Sequence, residues 1–191
     1  KSFEDVDNGK RELYGGKRVL VVVPHQDDEI NLLGGVFEEY LKYGSEIFPV
    51  YVITNGIAEP YRYAEAIALF KHIGVSEANI IFLGYGSLIH NDVDKIKLTK
   101  GTNEHPAYNE GQQYSRLNVV KDLMNVITDL CPDVIIGTDY DRHVDHHYVT
   151  ALLDEAIGRA LKQEETYKPL VLKGYAYRTT WESYPDYYKT N

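Results

Sequence analysis

Histidine and acid crowd together at two places in the sequence. One is Pro24-His25-Gln26-Asp27-Asp28-Glu29, and the other is Asp139-Tyr140-Asp141-Arg142-His143-Val144-Asp145-His146-His147. Imidazoles and carboxylates at this density can hold a cation or move protons. Two imidazoles and one carboxylate make a three-ligand site with positions left open for water and substrate. That set suits catalytic zinc, which lowers the pKa of a water it holds to about 7. It suits non-haem iron(II) as well, so ligand type alone leaves both ions open. A further carboxylate beside the ion can serve as general base, and a further histidine can steady the oxyanion of an acyl transfer. The rival reading of the first cluster is a phosphate-binding turn, which needs glycines so that backbone can approach a pyrophosphate. Three acids precede the first glycine, Gly34, and carboxylates repel phosphate, so a metal is the better reading. Acids at a helix start are also favoured by the helix dipole alone. His25 just before them and the second cluster weigh against so plain a role.

The elements around the clusters must bring them together. Val19–Val23 is an unbroken apolar run, as expected of a strand buried on both faces of a parallel sheet. Further strands are expected at Ile47–Thr54, Asn79–Gly84, Asp133–Thr138 and Leu170–Tyr177, with Pro49 warning of an irregular start to the second. Apolar residues three and four apart predict helices at Asp28–Tyr43, Pro60–Ile73, Tyr114–Leu130 and His146–Lys162. The Asp28–Tyr43 helix should bury Ile30, Leu33, Phe37, Tyr40 and Leu41 on one face, with Gly34 and Gly35 allowing close packing on the sheet. Alternating strands and helices predict an α/β, Rossmann-like, doubly wound and mostly parallel sheet of order 3-2-1-4-5, with helices on both faces. Ligands bind such sheets beyond the C-terminal strand ends, where the order reverses. Here that crevice lies between strands 1 and 4, the two strands that the clusters follow.

The 191 residues are expected to form one domain, 1–191, with 1–16 as a loose lead-in. A net charge of -9 argues against nucleic acid and anionic membrane as partners. No run of about 18 apolar residues is present to span a bilayer. The single cysteine, Cys131, lies in an apolar stretch and reads as a small core residue; it allows no intrachain disulfide. The segment 84–113 is long and aperiodic, and is expected to wall the site and set specificity. The chain starts at Lys1 and not at Met, which suggests processing or excision from a longer protein. A cytoplasmic location is favoured, with a secreted or cell-surface one as the alternative. Oligomeric state is not legible.

P-H-Q-D-D-E resembles the P-H-x-D-D-E signature of the PIG-L or LmbE-like N-deacetylases, and His143-Val144-Asp145-His146 resembles their second motif, H-x-D-H. The likeness extends to Thr54-Asn55-Gly56 and to Arg62-x-x-Glu65, over about residues 18–177. It implies a Rossmann-like fold and a zinc-dependent hydrolase that removes an acyl group, acetyl in many members, from a small N-acylated substrate such as an amino sugar. Carried over by position, it implies zinc on His25, Asp28 and His146, with Asp27 as general base. His143 then polarises the acyl oxygen, and Asp145 stands behind His143 to orient it. Arg62 matches a position that often faces substrate. After strand 3 the family commonly has an acid for sugar hydroxyls; here Ser87 lies near that place and Asp92 further on. The chain ends at Asn191, shorter than many relatives, so part of a C-terminal substrate region is expected to be missing.

Other readings stand beside this one. Arg62 can instead pair with Glu65 or Glu59. His72, His90, His105 and His147 read as surface residues. The alternatives for the whole chain are a metal-binding module without catalysis, and a hydrolase of another amide or ester such as a thiol conjugate. A pure binding site has no need of the spare acid Asp27.

Overall fold

A computed structural model describes residues 3–55, 60–87 and 97–177. Helix α1 spans Phe3–Tyr14, and strand β1 spans Arg18–Val23. Helices α2 (Asp28–Leu33) and α3 (Val36–Lys42) lead to β2 (Glu46–Asn55), which is followed by α4 (Pro60–His72). A 3-10 turn at Glu77–Asn79 precedes β3 (Ile81–Gly86). Then come α5 (Arg116–Leu130), β4 (Val134–Thr138), α6 (Val144–Gln163) and β5 (Leu170–Gly174). The strands form one parallel sheet of order β3-β2-β1-β4-β5, as the sequence predicts.

Both faces of the sheet are covered. Along β1, Leu20 and Val22 face a core shared with Val120 and Leu123 of α5 and Val149 and Leu153 of α6. Val19, Val21 and Val23 face the opposite core, with Phe37 and Tyr40 of α3 and Phe70 of α4. Each such side chain contributes about 1.5–3 kcal/mol by leaving water. Two-sided burial is why β1 reads as a continuous apolar run rather than an alternating one. Gly137 lets β4 lie close to α6, since a Cβ there would meet Leu153 Cδ2 at 2.5 Å.

Several expectations need correction. Residues 3–14 form a helix rather than a loose lead-in, held by Lys10–Glu39, by Tyr43 donating to Asp7, and by Tyr14 set edge-on against Tyr40. Its partners lie some thirty residues away, so its own polar sequence gave no sign of it. The expected helix Asp28–Tyr43 is two helices, because Gly34 takes φ 43 and closes α2 with its N–H on Ile30 O. Gly34 and Gly35 are exposed and break the helix instead of packing it; Ile30 is 51% exposed. Pro49 causes no break in β2: pairing with β3 begins only at Val50, so the missing N–H falls where that side of the strand is still open. Cys131 is exposed, because it takes the left-handed C-cap position of α5 with φ 45.

Segment 97–113 lies along the outer edge of β3, with Lys100 N–H donating to Gly84 O and Tyr108 N–H to Phe82 O. It is pinned to α5 by buried Asp122, which accepts from Asn109, Gln112 and Tyr85 at 2.7, 2.7 and 2.5 Å. Residues 88–96, which hold Asp92 and His90, lie outside the described residues, as do Gly56 and Glu59. Among the described residues, no helix is long and apolar enough to cross a membrane.

Candidate active site

β1 ends at Val23, and the chain turns sharply to start α2. The turn depends on Asp27, whose φ of 133 lies in the region L-residues seldom enter. Such a conformation costs about 1–3 kcal/mol and persists where surroundings enforce it. The carboxylate of buried Glu29 does so by accepting the Asp27 N–H at 2.9 Å. As a result the two neighbouring aspartates part company. Asp28 is fully buried, and Asp27 stays 40% exposed.

Asp28 Oδ2 accepts from the His25 backbone N–H at 2.9 Å and lies 3.2 Å from His25 Nδ1. It also lies 3.2 Å from His146 Nε2. His146 comes from the first turn of α6, which starts beyond β4. Since β4 pairs directly with β1, their C-terminal ends bring the two sequence clusters to one point. Ring nitrogens of His25, His143 and His146 lie within 4.8 Å of one another. His143 caps α6, and its Nδ1 accepts the Asp145 N–H at 3.2 Å. A neutral ring that accepts at Nδ1 carries its proton on Nε2, so His143 presents an N–H donor.

The remaining nitrogens of the two deep imidazoles each meet a buried carboxylate. His25 Nε2 is 3.0 Å from Asp145 Oδ2, and His146 Nδ1 is 2.6 Å from Asp141 Oδ2. Burial by itself would lower the pKa of His25, but Asp145 and Asp28 outweigh it and raise it to about 9. Burial would raise Asp28, but the close approach of His146 and His25 holds it well below the usual carboxylate range. His143 is lowered, by burial first and then by the charges of His146 and His25. Asp27 is raised, by burial first and then by Asp28, with Arg62 and His25 acting against the rise.

Among the described residues six buried side-chain N or O atoms have no hydrogen-bond partner, and two of them, Asp28 Oδ1 and His146 Nε2, lie in this cluster. A native interior rarely leaves such atoms unpaired. Both belong to a cluster that would surround a cation. The 3.2 Å spacings of His25 Nδ1 and His146 Nε2 from Asp28 Oδ2 are close to the roughly 3.3–3.5 Å between neighbouring ligand atoms of a tetrahedral zinc. The residues present therefore fit a metal ion.

Most of the site residues expected from sequence converge here, and three differ in detail. The carboxylate of Asp145 reaches His25 and Ser87, not the ring of His143; only its backbone N–H holds His143. The reason is the cap: His143 turns back over the first turn of α6, while the Asp145 side chain points into the crevice. Ser87, expected at a sugar hydroxyl, is fully buried and donates to Asp145 Oδ2 at 2.6 Å. Arg62 Nη1 sits 3.3 Å from Asp27 Oδ2, 3.6 Å from Glu65 Oε2 and 3.2 Å from the Gln26 carbonyl, so it joins the proposed base as well as Glu65. Asp92 lies outside the described residues. His72 and His147 are exposed; His105 is half-buried and stacked on Tyr63. Sequence reasoning missed Glu29 and Asp141. The signal for Asp141 was its place two residues before H-V-D-H.

Residues 20–157 match the family described as GlcNAc-PI de-N-acetylase, and the chain belongs to this PIG-L family. No curated protein matches it. Among solved structures it is similar to N,N'-diacetylchitobiose deacetylase from Pyrococcus horikoshii, at 23% identity and TM-score 0.54, covering 87% of this chain and 62% of that one. It is similar to the zinc-inhibited form of teicoplanin deacetylase Orf2, at 17% identity and TM-score 0.52, covering 78% and 64%. It is also similar to GalB, the 4-carboxy-2-hydroxymuconate hydratase of Pseudomonas putida KT2440, at 19% identity and TM-score 0.51, covering 80% and 60%. These likenesses are of fold, and the chain spans less than two thirds of each of these proteins. A hydratase among them means that the reaction must be argued from the site.

Proposed function

We propose that the chain is a zinc-dependent N-deacetylase acting on a small N-acetylated substrate, an amino sugar being the class best supported. The observation that carries this reading is the pair of unpartnered buried atoms, Asp28 Oδ1 and His146 Nε2, beside a half-exposed second carboxylate, Asp27. His25, Asp28 and His146 would hold the ion. When bound, zinc supplies a Lewis acid and lowers the pKa of a water it holds; iron(II) suits the same donors.

The other residues supply the proton chemistry. Asp27 takes a proton from the attacking water as its oxygen adds to the acyl carbon. The Nε2–H of His143 donates to the acyl oxygen as negative charge develops there, as an oxyanion donor does. Asp27 then hands its proton to the departing nitrogen, and the C–N bond breaks to leave free amine and acetate. A raised Asp27 pKa favours this role, because a base is most effective when its pKa nears the working pH. Family membership supports the reaction, and the deacetylases among the structural relatives support the substrate class.

The test is a panel of N-acetylated amino sugars and N-acyl amino acids incubated with zinc-loaded protein, assayed for free amine and acetate. Equimolar release of both from an amino sugar supports the proposal. Release only from amino acids moves the substrate class, and release from none of them refutes the reaction.

A further inference from the structure

We infer that Asp141 is a positioning residue that selects Nε2 of His146 as the metal-binding nitrogen; the inference rests on the metal reading above. Asp141 is fully buried two residues before the H-V-D-H motif. Both of its oxygens accept. Oδ2 lies 2.6 Å from the ring Nδ1 of His146 and accepts the Tyr177 backbone N–H at 3.1 Å, and Oδ1 accepts the His143 backbone N–H at 2.8 Å.

An ionised carboxylate can only accept hydrogen bonds. The imidazole of His146 therefore keeps a proton on Nδ1, and Nε2, 3.2 Å from Asp28 Oδ2, is the nitrogen left to bind a metal. A bare lone pair opposed to a buried carboxylate is repulsive, so either a proton or a metal ion must lie between Nε2 and Asp28. The other oxygen of the same side chain fixes the backbone of His143 where α6 begins. One carboxylate thus sets the tautomer of a metal-holding imidazole and the anchor point of the proposed oxyanion donor. The arrangement has a counterpart across the site, where Asp145 meets Nε2 of His25 and leaves Nδ1 toward Asp28. The two histidines are thereby assigned opposite ligand nitrogens, Nδ1 for His25 and Nε2 for His146.

An asparagine at position 141 has one acceptor where the carboxylate has two. An amide nitrogen in the Oδ1 place would face the His143 N–H; one in the Oδ2 place would face both the Tyr177 N–H and His146, and would force the His146 proton onto Nε2. The experiment measures zinc affinity of wild type and Asp141→Asn by competition with a chromophoric chelator. It adds long-range 1H–15N spectra of the histidine rings in zinc-loaded wild type. The expected result is a loss of roughly 10–100-fold in affinity for Asp141→Asn, with His146 in wild type protonated on Nδ1 and metal-bound through Nε2. The spectra use only wild type, so they decide the question even if the variant does not fold. Unchanged affinity, or zinc bound through Nδ1 of His146, overturns the inference while leaving the metal reading intact. A wild type that binds no zinc overturns both.

Discussion

His25 Nε2 and Asp145 Oδ2 lie 3.0 Å apart although 120 positions separate the two residues. The contact exists because β1 and β4 are neighbours in the sheet, so the turns beyond both strands share one crevice. Ser87, at the end of β3, completes the arrangement by donating to the same Asp145 oxygen. Three strands thus contribute to holding one imidazole.

Ser87 should therefore act through Asp145 and His25 rather than on substrate. Ser87→Ala is expected to lower kcat and weaken zinc binding, with KM little changed. Steady-state kinetics with zinc titration check this. A rise in KM with kcat and zinc affinity intact would return Ser87 to the substrate surface.

Arg62 offers a second split. Its guanidinium acts against the rise in the Asp27 pKa, so Arg62→Gln should push that pKa further up. The acidic limb of the kcat/KM profile, which reports protonation of the base in free enzyme, should then move to higher pH. If Arg62 serves only as a substrate anchor, KM rises and the limb stays where it was.

Before any ion binds, His25 holds a proton between two carboxylates with its pKa raised from 6.5 to about 9. A raised folded-state pKa contributes stability that is fully present below 6.5 and is lost as pH rises through about 9. Metal-free protein should therefore melt at lower temperature as pH climbs across that window, and zinc-loaded protein should not. Zinc must also displace this proton, so its affinity should rise by about tenfold per pH unit below 9. Thermal melts and zinc titrations from pH 6 to 9, with and without chelator, test both points. A metal-free melting temperature that increases with pH would show that the imidazole is not held as described.

Much of this was legible from residue types. Strand β1 announced itself because both faces are buried, and β4 likewise, so the crevice between them and the two clusters that flank it could be placed from sequence. What sequence could not reveal was decided at a distance. Helix α1 depends on Glu39, Tyr40 and Tyr43 of the α3 region. The partner of Asp145 depends on which way a capped helix turns its first residues, and Asp141 shows its role only once His146 is seen beside it. Cys131 was misplaced because an apolar neighbourhood in sequence does not reveal a left-handed cap.

The central claim is that two adjacent aspartates do different work, Asp28 on the ion and Asp27 on the proton. Asp28 touches both deep imidazoles and is sealed from solvent, whereas Asp27 is half-open beside Arg62. The measurement is zinc content and amine release for Asp27→Asn and Asp28→Asn side by side. Asp27→Asn should keep stoichiometric zinc yet lose roughly 100- to 10,000-fold in turnover. Asp28→Asn should hold zinc weakly and recover part of its activity as zinc is added. Zinc lost from Asp27→Asn but retained by Asp28→Asn would reverse the two roles, and near-full turnover in Asp27→Asn would contradict the mechanism.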